Sequence, residues 1–72
     1  MKTVLVFKTS VTKKKEINML RPLLNELIGQ HGYWNFDLED RDHILRVETH
    51  VLQAKTISVA LHDHKFYCEE LQ

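Results

Sequence analysis

The spacing of apolar residues switches along this chain between a strand rhythm and a helix rhythm, and that switching leaves few folds open to it. Val4-Leu5-Val6-Phe7 is a short run of β-formers, apolar on both faces, which predicts a central strand over Thr3 to Lys8. The Thr9 to Thr12 segment turns the chain. From Lys13 to Ile28 the apolar residues Ile17, Leu20, Leu24, Leu27 and Ile28 fall on one stripe of a helix. Thr12 is the expected N-cap and Gly29 the expected stop. Two residues types oppose this helix locally. Pro22 lies within the pattern, where a missing backbone N–H costs about 3 kcal/mol, so a kink, a late start or an irregular first turn is expected. Lys13, Lys14 and Lys15 stand at the positive end of the helix dipole, each unfavourable by about 0.3–1 kcal/mol when exposed.

Beyond the Gln30-His31-Gly32 connection, Tyr33 to Leu38 alternates, with Trp34, Phe36 and Leu38 on one face and Asn35 and Asp37 on the other. The acidic stretch Glu39-Asp40-Arg41-Asp42 reads as a turn, and Ile44 to Glu48 returns with Leu45 and Val47 inward, completing a hairpin. Thr49 is the expected cap of a second helix reaching Asp63, with Val51, Ala54, Ile57, Ser58 and Leu61 as its buried stripe. Phe66 to Leu71 closes the pattern as an edge strand. The order β, α, β, β, α, β predicts an α+β fold of the ferredoxin-like, split βαβ type: a four-stranded antiparallel sheet with two helices on one face.

At 72 residues the chain holds one domain, 1–72, and a core that must be economical, because about 60% of the unfolded surface is buried at this size. Its longest apolar run, Val4 to Phe7, is far below the ~20 residues of a membrane span and too short for a secretory leader. With one cysteine, Cys68, no internal disulfide can form, and a cytoplasmic setting is expected. Charge sums to zero but is segregated. Met1 to Arg21 carries six basic residues against Glu16, whereas Pro22 to Gln72 carries four basic against nine acidic. That division favours an acidic protein surface or self-association as partner, and not nucleic acid or a membrane.

The Gly32-Tyr33 strand start, the Asp37-Leu38-Glu39 turn into Ile44-Leu45-Arg46-Val47, the helix around Ile57 and Leu61 and the ending Phe66-Tyr67-Cys68-Glu69-Glu70-Leu71 together resemble the heavy-metal-associated domain of copper chaperones and metal-pumping ATPases. The resemblance covers nearly the whole chain. It implies a loop between the first strand and first helix where the family holds a soft ion between two cysteines of a Met-x-Cys-x-x-Cys motif. Here the stretch from Ser10 to Ile17 contains no cysteine. What the resemblance leaves is the family's docking surface around the first helix, which falls on Lys13, Lys14 and Lys15. The expected function is that of a non-enzymatic protein acting through protein contact, with no cofactor.

Other chemistry is sparse. His62, His64 and Cys68 are the one grouping of metal-ligand types, an alternative site for zinc or copper, although Cys68 alternates toward the core and the histidines suit a surface. His31, His43 and His50 fall at turns and read as solvent-facing. No nucleophile and base stand at a recognisable spacing, and no glycine-rich phosphate loop is present, so catalysis is not expected. An RNA-recognition module would need aromatics on an open sheet face, and His43 to Glu48 offers none. A small-molecule-sensing ACT-like module shares the architecture, with its site at the first helix start and the Gly29 to Gly32 turn, but no residue selects a ligand.

Overall fold

A computed structural model describes residues 2–29 and 32–71. It is an α+β fold of six elements: β1 (Thr3–Thr9), α1 (Lys14–Ile28), β2 (Gly32–Asp37), β3 (Ile44–Thr49), α2 (Ala54–Asp63) and β4 (Cys68–Glu70). The strands form one antiparallel sheet in the order β2-β3-β1-β4, so β1 and β3 are central and β2 and β4 are the edges.

Period-two alternation sorts the sheet into two faces. On one, Leu5 lies across from Val47 and Val47 across from Trp34; the next row is Phe7, Leu45 and Phe36. Leu20, Leu24 and Ile28 of α1 and Ile57 and Leu61 of α2 join these residues in one core, all at 1% exposure or less. At about 1.5–3 kcal/mol per fully buried aliphatic side chain, this cluster is the main favourable contribution to folding. The other face carries Val4, Lys8 and Arg46, all exposed, and an ion pair between Lys2 Nζ and Glu48 Oε1 at 2.7 Å.

Pro22 neither delays α1 nor divides it. Leu20 and Leu24, fully buried on either side, offset the lost hydrogen bond of about 3 kcal/mol. Gly29 ends the helix at φ 49°, ψ −131°, a conformation that a side chain resists. The second helix starts later than its sequence suggests. Thr49 is the last residue of β3, and its buried hydroxyl accepts the Val51 and Leu52 N–H groups, making a turn that holds 50–53 outside the helix. Val51 is consequently 67% exposed instead of buried, and Gln53 occupies the N-cap without a side-chain bond.

The end of α2 explains why β4 is shorter than Phe66 to Leu71. Phe66 N donates to Leu61 O at 3.0 Å and Lys65 N to His62 O at 2.9 Å, the paired bonds of a Schellman cap, with Lys65 at φ 71° where glycine is usual. Phe66 packs against the core beside Leu61, so pairing with β1 begins only at Cys68.

Candidate functional site

The β1–α1 connection is closed by its own side chains. Thr9, 4% exposed, donates its hydroxyl to His43 O at 2.6 Å and accepts the Val11 N–H at 3.1 Å. Val11 is fully buried. Ser10 ties the same segment to the residue before β4: its N–H donates to Tyr67 O at 3.1 Å and its Oγ accepts the Tyr67 N–H at 2.8 Å. A segment held at both residues and anchored by a buried valine has little freedom to swing toward a partner.

Lys13, Lys14 and Lys15 follow directly and are all exposed. Lys13, not Thr12, is the N-cap residue, and it makes no side-chain cap. The Thr12 hydroxyl is instead engaged by Glu16, which reaches back past the N-cap: its Oε1 accepts the Thr12 N–H at 2.8 Å and the Thr12 hydroxyl at 3.3 Å. The bond from the Thr12 backbone holds the Glu16 carboxyl below its ordinary 4.5. None of the three lysines takes part in an ion pair among the described residues.

His62, His64 and Cys68 are not brought together. His62 lies exposed in the last turn of α2, and His64 closes that helix with Nδ1 3.1 Å from Ala60 O. Cys68 is 3% exposed, opposite Thr9 in the sheet, and burial pushes its thiol up to about 12, so it is a neutral thiol and a poor ligand near neutral pH. Among the described residues no three of His, Cys, Asp and Glu gather where they could hold a metal ion. His50 is exposed, as expected, and His31 lies outside the described residues. His43 is not solvent-facing. It stands at a left-handed φ of 51° at the end of the turn, half-buried, with Nδ1 enclosed and without a hydrogen-bond partner among the described residues. The acidic stretch shapes that turn, Asp37 Oδ1 accepting the Glu39 and Asp40 N–H groups and Asp40 Oδ1 the Asp42 N–H.

A groove between α1 and β2 is the feature that sequence reasoning missed. It encloses about 490 Å³ and runs past Ile17, Arg21, Asn25, Trp34 and Phe36 into a second hollow of about 340 Å³ bordered by Lys14 and Glu39. Arg21 lies over the Trp34 ring, 5.4 Å from its centroid, and Trp34 Nε1 donates to Asn25 Oδ1 at 3.0 Å. Trp34 and Phe36 meet edge to face at 5.9 Å, yet both are only half-buried because β2 is an edge. Ile17, Arg21 and Asn25 recur every four residues and so share one row of α1, but the sequence does not show that this row lies along an edge strand.

No helix among the described residues is long and apolar enough to cross a membrane. No family model matches the chain, nor does any curated protein or solved structure.

Proposed function

We propose that this chain is a divergent relative of the heavy-metal-associated domain that works without a metal, as a non-enzymatic cytoplasmic module binding an acidic protein surface through Lys13, Lys14 and Lys15. The ferredoxin-like reading is supported by the element order and by α1 and α2 each joining strands that are not neighbours in the sheet. The single observation that carries the docking role is three exposed cations, free of ion pairs among the described residues, at the end of a helix where the dipole opposes them. Local stability does not select such a cluster. A complementary surface would. The packed Thr9-Ser10-Val11 turn beside it gives that surface a fixed shape.

The test is capture on immobilised chain. A partner bound through the lysines should release as salt rises and the screening length falls below ~10 Å, and should be lost when Lys13, Lys14 and Lys15 are all changed to Glu. Capture that survives both changes rejects the role.

A further inference from the structure

The larger hollow between α1 and β2 has the size and the chemistry of a small-molecule site, and it stands apart from the docking role of the lysines. We propose that it binds a small planar aromatic carboxylate, with Arg21 holding the carboxylate and Ile17 and Phe36 receiving the ring.

At about 490 Å³ the hollow falls within the roughly 300–1,000 Å³ range of small-ligand pockets. Its charge selects the sign of the ligand. Among the described residues Arg21 is the single charged side chain lining it, and Arg21 forms no ion pair there. The adjoining hollow is balanced, Lys14 and Arg46 standing against Asp37 and Glu39. An anion entering the groove is therefore drawn to Arg21.

The polar groups are held in place before any ligand arrives. The guanidinium lies over the Trp34 ring, 5.4 Å from its centroid, and its Nη2 donates to Asn18 Oδ1 at 3.3 Å. Trp34 is fixed in turn, because its Nε1 donates to Asn25 Oδ1 at 3.0 Å. That bond orients the Asn25 amide and leaves its two N–H groups as donors, one helical turn from Arg21. A carboxylate can accept two parallel bonds from the planar guanidinium, which a single hydroxyl cannot. Groups already held lose little side-chain freedom on binding.

The apolar half of the site is flat. Ile17 lies one turn before Arg21, and Phe36 meets Trp34 edge to face at 5.9 Å; both are half-buried. A ring laid against them removes apolar surface from water and adds an aromatic contact. A saturated body of the same size lacks that contact.

NMR titration of the isotope-labelled chain with naphthoate tests the site. The Trp34 indole N–H, the Asn25 amide and the Arg21 Nε–H should shift together, with a Kd below about 1 mM. Naphthamide, which keeps the rings without the charge, and the ring-saturated carboxylate should each bind about tenfold more weakly or worse. Arg21→Gln, an exposed position on α1, should weaken naphthoate by about the same factor. Lys55→Gln removes a positive charge from exposed α2 and should leave the affinity unchanged. Absence of those shifts at about 5 mM naphthoate overturns the proposal. So does naphthamide or the saturated acid binding as tightly as naphthoate, an affinity that Arg21→Gln leaves unaltered, or an equal loss in Lys55→Gln.

Discussion

The two edges of the sheet are managed in opposite ways. β4 pairs only three residues and carries Glu69 and Glu70, and Ser10 holds the preceding Tyr67 on the β1 side of the strand, so this edge is short and acidic. β2 is twice as long and carries half-buried aromatics beside a groove. The same sheet physics leaves one edge short and charged and the other long and bordered by a hollow. The difference lies in strand length and placement of charge, not in the pairing itself.

The most disruptive way to break the contrast is at Gly32. A Cβ there would collide with the backbone oxygen of Glu48, a group that cannot rotate aside. Gly32→Ala should therefore cost about 3 kcal/mol in denaturant unfolding, through displacement of β2 from β3. An unaltered midpoint would show that the start of β2 adapts. Loosening the other edge strand should be milder. Ser10→Ala removes the acceptor of the Tyr67 N–H, and a loss of about 1 kcal/mol is expected, with faster exchange of amides around Cys68. Unchanged exchange would mean that Ser10 does not hold β4 to β1.

Smaller still is the turn that leads into β4. Lys65→Gly relieves a left-handed residue in the Schellman cap and should stabilise the chain by about 0.5–1 kcal/mol, read as a rise in the unfolding midpoint. A drop would assign Lys65 a role that its backbone does not show. Glu16→Gln, remote from both edges, is the control. Its carboxyl titrates lower in the folded state than in the unfolded one, so its contribution is present above the unfolded value and fades as pH falls through the lower folded value. The stability difference between native chain and variant should thus be small at neutral pH and absent in acid. A difference that persists in acid would point to packing and not charge.

The element order was legible because its signals are periodic: Leu20 and Leu24 reveal α1 despite Pro22, and Leu45 and Val47 reveal β3. What was not legible depended on single hydroxyls and backbone angles. Thr49 looks like a helix cap in sequence, but its hydroxyl is committed to a turn that leaves Val51 outside. His43 looks like a turn residue in water, yet at its left-handed φ it is half-buried with Nδ1 enclosed. The lysine cluster could be read from three adjacent letters. The β2 groove could not, because it requires knowing that β2 is an edge and that the Arg21 row of α1 lies along it.

Amide hydrogen exchange tests the contrast between the edges most directly. The account predicts that amides within Tyr33 to Asp37 alternate, slow where they bond β3 and fast where they face the open edge, while those of Cys68 to Glu70 exchange faster than the slow set of β2. Uniform protection along β2, or greater protection at β4, would contradict it.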